Sequence, residues 1–266
     1  MANLTLLYAK AALTGFTRRG GELPGTSLDV EVAVDPGHLA RYAGVCGFGV
    51  RDELPVTYPH VLGFEAQVRL MTGPGFPFPL PGLVHVANRI RQHRPVRVAE
   101  PLSLHVATAD LRPHDRGRQF DVVTTASVDG EEVWVDVSTY LRREGGGAAE
   151  PSPRAEPPVP TARWRLPGDL GRRYADVSGD RNPIHLHPLA ARAFGFRRAI
   201  AHGMWSKARC LAAFEGRLPD AYEVDVRFKA PLLLPGEVDF STEPTGDGRR
   251  FALWSDRPHL EGVISG

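Results

Sequence analysis

The chain has 266 residues, 42% of them apolar, with 32 Lys+Arg against 31 Asp+Glu for a formal net charge of +1. That length suits one large domain or two ordinary ones, and the balanced charge argues against a protein built around nucleic-acid phosphates. Cys46 and Cys210 are the whole cysteine complement, which excludes a disulfide scaffold and a multi-cysteine metal centre. Prolines interrupt the longest uncharged run, and residues 1–13 lack the basic start of a signal peptide, so a soluble, cytoplasmic protein with no membrane partner is expected.

In chain order, residues 83–93 read as a short helix ended by Pro95. Val96, Val98, Leu102, Leu104 and Val106 then keep one parity through a strand, with Pro101 as a bulge. Asp129-Gly130 turns the chain between strands 120–128 and 133–141, where Val133, Val135 and Val137 share a face. Residues 144–162 are mostly Gly, Ala and Pro, a composition that buries too little apolar area to offset its ordering entropy. This linker divides the chain into halves 1–143 and 163–266.

The second half repeats the plan. Residues 170–177 form a short helix closed by Ser178-Gly179, and 188–194 form another. Residues 203–215 read as a core helix, with Met204, Ala208, Leu211 and Ala212 at helical spacing and Gly216 as its stop. Tyr222, Val224, Val226 and Phe228 alternate with charged residues through a strand, Asp247-Gly248 makes a hairpin, and two further strands close the chain. A helix followed by an antiparallel meander, twice, predicts a sheet wrapped around a central helix in each half.

One segment carries chemistry: Tyr174-Ala-Asp-Val-Ser178-Gly-Asp180-Arg-Asn182-Pro-Ile-His185. Pro183 argues against a helix through Asp180 and His185, so both are expected on an irregular loop that points them into one pocket. A carboxylate and an imidazole there can hold a water, one taking its proton while the other delivers one. Gly203 then opens the core helix. Free N–H groups at a helix start carry positive partial charge and suit a developing oxyanion.

The Ser-Gly-Asp-Arg-Asn-Pro-Ile-His core, followed by Gly195-Phe196 and Ile200-Ala201-His202-Gly203-Met204, resembles the MaoC-like family of (R)-specific enoyl-CoA hydratases and hydroxyacyl dehydratases. The resemblance implies an α+β double hot-dog fold, with 1–143 as a degenerate copy and 163–266 as the catalytic domain. It implies Asp180 and His185 as the catalytic pair, Asn182 and Ser178 as support for the loop or its water, and the Gly203 N–H as the oxyanion donor. The reaction it implies is syn hydration of a trans-2-enoyl thioester to the (3R)-hydroxyacyl thioester, or the reverse, with no cofactor. The first half has no counterpart of the loop motif and is expected to be chemically silent, with the Pro and Phe residues of 73–81 lining room for the acyl chain.

Competing readings are fewer. His185, His187 and His202 with Asp180 satisfy zinc arithmetic, but no ligating cysteine or His-Glu-x-x-His pattern supports a metal. A thioesterase on the same fold, or a non-catalytic acyl-binding subunit, are the alternatives. Arg172, Arg173, Arg197 and Arg198 flank the motifs and are candidates for the phosphates of coenzyme A or for an acidic carrier protein. Exposed sheet edges leave both a monomer and a homodimer open.

Overall fold

The computed structural model describes residues 21–144 and 156–266. The expectations for residues 1–13 and for most of the 144–162 linker therefore lie outside the described residues. The first half runs β1 (Ser27–Val32), α1 (Pro36–Cys46), α2 (Tyr58–Thr72), β2 (Leu83–Gln92), β3 (Leu102–His114), β4 (Gly117–Val128) and β5 (Glu131–Arg143). The second runs β6 (Ala162–Leu166), α3 (Leu170–Ser178), α4 (Pro183–Leu186), α5 (Pro188–Ala193), α6 (Gly203–Ala212), β7 (Tyr222–Phe228), β8 (Gly236–Pro244), β9 (Gly248–Trp254) and β10 (Pro258–Ser265).

The ten strands form one sheet in the order β1-β3-β4-β5-β2-β7-β10-β9-β8-β6. Every pairing is antiparallel. Read from each edge inward, the halves have the same topology, and β2 pairs with β7 to make the seam, Asn88 opposite Val226 and Ile90 opposite Val224. The helices of each half fall between its first and second strands, so α1 and α2 occupy the chain positions that α3 to α6 occupy in the second half. This is the expected double hot-dog plan.

Local sequence explains the elements. Asp35 caps α1, its carboxylate accepting the N–H groups of Gly37 at 2.8 Å and His38 at 3.2 Å, with Pro36 in the first turn. The Asp129-Gly130 turn has φ of 51° and 84°, the pair of positive values that a twisted two-residue hairpin needs. The main core runs through both halves and includes Tyr42, Ile90, Trp134, Tyr174, Trp205 and Phe214. Trp205 on α6 donates its indole N–H to Val45 O at 3.0 Å, which ties the two halves together.

Three expectations are corrected. Where a helix is expected over 83–93, residues 83–92 form the central strand β2; its inward positions include the buried polar residues Asn88 and Gln92, so no apolar period of two marks it. The first-half helix that corresponds to α6 in position is α2, which is buried on nearly every side and carries Pro59 and Gly63, so no amphipathic stripe marks it. Pro101 lies just before β3 rather than at a bulge within it; the irregularity in that strand falls between Ala109 and Arg112.

Candidate active site

The site is built at the start of α6 from three local devices. Helix α3 ends at Gly179, whose φ of 74° turns the chain sharply after Ser178. Ser178 Oγ accepts the Asp180 N–H at 3.2 Å, and Asp180 Oδ1 accepts the Asn182 N–H at 3.1 Å. Asn182 then caps α4, its side-chain oxygen accepting the Ile184 N–H at 3.4 Å, with Pro183 as the first helical residue. His185 therefore sits on a single helical turn rather than an irregular loop, a correction with a clear cause: proline forbids a helix interior but favours its first position. Asn182 holds the loop through this cap.

Gly171 makes the packing of α3 on α4 close enough. A β-carbon there would stand 2.0 Å from the carbonyl oxygen of His185, so only glycine fits. Nothing in the sequence period flags this glycine; the signal is that it lies one turn before the motif on the face toward His185.

His185 donates from Nδ1 to the Ile200 carbonyl at 2.8 Å. That bond fixes the neutral tautomer and puts the lone pair on Nε2, where it can take a proton. Burial lowers the His185 pKa, so the ring is neutral near neutrality, with Asp180 acting in the opposite direction. His202 is buried, stacks on His185 with centroids 3.7 Å apart, and donates from Nε2 to the Asp180 backbone carbonyl at 3.0 Å. Burial, then the adjacent His185, hold its pKa down to about 3. His202 is thus the structural partner beside the helix start that its position suggests.

One oxygen of Asp180 and one nitrogen each of His185 and His202 lie within 4.8 Å of one another. These donor types are those of a metal site, but the two imidazoles are tilted only 25° apart in a stack. Their lone pairs therefore lie in two nearly parallel planes. A gap of this size between Asp180 and His185 instead suits one shared water. His187 lies apart, exposed, its Nδ1 accepting the Leu189 N–H at 3.2 Å to cap α5.

Gly203 is the first residue of α6, so its N–H has no acceptor within the helix. A β-carbon at Gly203 would meet the Phe228 ring at 3.0 Å. Phe228 at the end of β7 is thus the wall over the donor, and beyond it lie first-half residues. His85 on β2 packs edge-on to Phe228 at 5.0 Å and stacks on Tyr140 of β5 at 4.7 Å. Asp180 is within electrostatic reach of both His85 and Tyr140. The sequence reading missed Phe228, His85 and Tyr140 as site residues, because only the sheet seam brings them there.

The arginines divide. Arg197 and Arg198 line a surface cleft of about 450 Å³ together with Arg257 and Phe196. Arg172 and Arg173 are exposed on α3 and do not line it. Within 73–81, Phe76 and Phe78 are buried with Phe120, Val106 and Val122 in a second core. Among the described residues no helix is long and apolar enough to cross a membrane.

Residues 146–255, which contain the whole loop and helix-start constellation, match the family model described as the MaoC like domain. The chain belongs to the MaoC-like dehydratases. It is 38% identical over 98% of its length, and over 96% of the other chain, to 3-hydroxyacyl-thioester dehydratase X of Mycobacterium tuberculosis. The crystal structure of HtdX from the same organism superposes with a TM-score of 0.82 at 37% identity, covering 91% of this chain and all of that one. A further M. tuberculosis structure described as a double hot-dog fold matches at a TM-score of 0.58 and 13% identity, over 92% of this chain and 98% of that chain, and supports the fold alone.

Proposed function

We propose that the protein is a hydro-lyase on acyl thioesters, hydrating a trans-2-enoyl thioester to the (3R)-hydroxyacyl thioester or running the reverse dehydration. The observation that carries this reading is the convergence of the Asp180 carboxylate and a His185 of fixed tautomer beside the unpaired N–H of Gly203. The thioester carbonyl accepts from Gly203, which stabilises the enolate as charge moves onto that oxygen. A water between Asp180 and His185 bonds through its oxygen to Cβ, and its proton passes to the pair. The pair returns a proton to Cα on the same face. Water is consumed, the pair is regenerated, and no redox partner enters. Asn182 and Ser178 keep the carboxylate in place.

The catalytic work is assigned to 163–266, with 1–143 degenerate in chemistry and 144–162 joining them. The Arg197 and Arg198 cleft suits the phosphates of coenzyme A or an acidic carrier-protein surface, with Arg172 and Arg173 contributing long-range attraction. The assay is hydration of trans-2-butenoyl-CoA with chiral analysis of the product. Release of free thiol with no hydroxyacyl product would instead support a thioesterase; acyl-CoA binding without any product would support a binding subunit.

A further inference from the structure

We propose that His85 and Tyr140, two first-half residues, set the length of acyl chain the site accepts and hold it to short chains. The proposal rests on the hydro-lyase reading and adds to it the substrate class.

The argument begins at Gly203. A thioester carbonyl held at the Gly203 N–H lies beside Phe228, whose ring a β-carbon at Gly203 would meet at 3.0 Å, and an acyl tail carried inward past that ring enters the first half. That direction is closed by rings in series. Phe228 meets His85 at 5.0 Å, His85 meets Tyr140 at 4.7 Å, Tyr140 meets Phe120 at 5.7 Å, and Phe120 meets Phe78 at 5.5 Å and Phe76 at 5.3 Å. The last three are fully buried and belong to the closed second core.

Behind His85 the interior is polar rather than apolar. His60 faces it at 6.3 Å, nearly parallel, and bonds Asp136 at 2.6 Å. Asn88 donates to Asp136 and to Ser138, and Lys207 donates to Asn88. An alkyl chain longer than a few carbons would have to unstack the rings or press against this buried network, and hydrocarbon offers no replacement for its hydrogen bonds.

The full chain is assayed for kcat/KM on trans-2-butenoyl-CoA and trans-2-octenoyl-CoA. The expected result is a preference for butenoyl of at least about tenfold, with His85→Ala and Tyr140→Ala each raising the octenoyl-to-butenoyl ratio by about tenfold or more. A wild type that uses octenoyl as well as butenoyl, or folded variants that leave the ratio unchanged, overturns the proposal. Because Tyr140→Ala opens a cavity and can unfold the chain, calorimetry on the wild type with saturated butanoyl-CoA and octanoyl-CoA supplies a variant-free test. Octanoyl binding no tighter than butanoyl supports the length stop, and tighter octanoyl binding overturns it. Absence of hydration on both enoyl substrates would defeat the hydro-lyase reading, while the binding comparison still decides the length stop.

Discussion

The two halves place a helix, a turn and a second helix start at corresponding points of the same topology, yet only the second carries the Asp180–His185 loop beside a helix-start N–H with no intrahelical acceptor. In both, the first helix ends on a left-handed glycine, Gly47 after α1 with φ of 87° and Gly179 after α3 with φ of 74°. The next residue is Phe48 in the first half and Asp180 in the second. At the second helix start the contrast is sharper. The Tyr58 N–H is already spent on Pro55 O at 2.7 Å, and Pro59 has no N–H to give. Gly203 keeps its N–H available. Shared topology supplies the scaffold, and three local substitutions decide whether it carries a site.

The first half has turned the freed interior to other use. His60, Asp136 and Asn88 form a buried polar network that receives Lys207 from α6 of the second half. Lys207 is fully buried and also donates to the backbone oxygens of Asn88 at 3.0 Å and Val224 at 3.1 Å, one on each side of the seam. It lies one turn along α6 from Gly203, so the network braces α6 against both halves.

The comparison can be broken at its strongest point by Asp180→Asn or His185→Gln, each expected to lower kcat by about 10²–10⁴ with the circular-dichroism spectrum unchanged. The reciprocal Phe48→Asp should confer no turnover on an Asp180→Asn background, since the first half lacks a donor as well as a carboxylate. Gly203→Pro removes the helix-start donor outright, the state that the first half reaches by spending the Tyr58 N–H on Pro55 O. His202 already has φ −68° and ψ 140°, which proline accepts after it. Relative to Gly203→Ala, which adds the same β-carbon near Phe228 but keeps the N–H, the proline variant should lose a further factor of about 10²–10³ in kcat.

Acid pH sharpens the assignment of His185. Its pKa is depressed from the ordinary 6.5, chiefly by burial, and in the proposed mechanism the neutral ring is the base. The acid limb of kcat/KM should therefore fall below pH 6.5; a limb at or above that value would contradict the neutral-base role. The smallest expected effect belongs to Lys207. Burial holds its pKa at about 7 against an ordinary 10.5. Between those values the unfolded chain binds the proton that the folded chain sheds, so the Lys207 contribution to stability improves as pH rises. Denaturant unfolding from pH 7 to 9 should show the wild type gaining on Lys207→Met by at most about 1.4 kcal/mol per pH unit. No change in their difference would show that Lys207 keeps its charge through that range.

How much was legible in the sequence follows from the same physics. Strands with one buried and one wet face, such as β7 with Val224 and Val226 inward and Asp225 and Arg227 outward, announce themselves by alternation. Strand β2 does not, because Asn88 and Gln92 occupy its buried face and serve contacts from elsewhere in the chain. The candidate loop is readable because its residues are close in sequence, within 178–185, and Gly203 because a helix start has its own signature. The first-half wall of His85 and Tyr140 was not, since pairing of β2 with β7 and with β5 brings distant segments together and no local period encodes it.

The most direct test of the central claim is hydration of trans-2-butenoyl-CoA by the purified full chain, followed as loss of the conjugated-thioester absorbance with Asp180→Asn alongside. The account predicts a (3R)-hydroxybutanoyl-CoA product whose formation falls by about 10²–10⁴ in the variant. Equal turnover by both proteins, or a (3S) product, would contradict it.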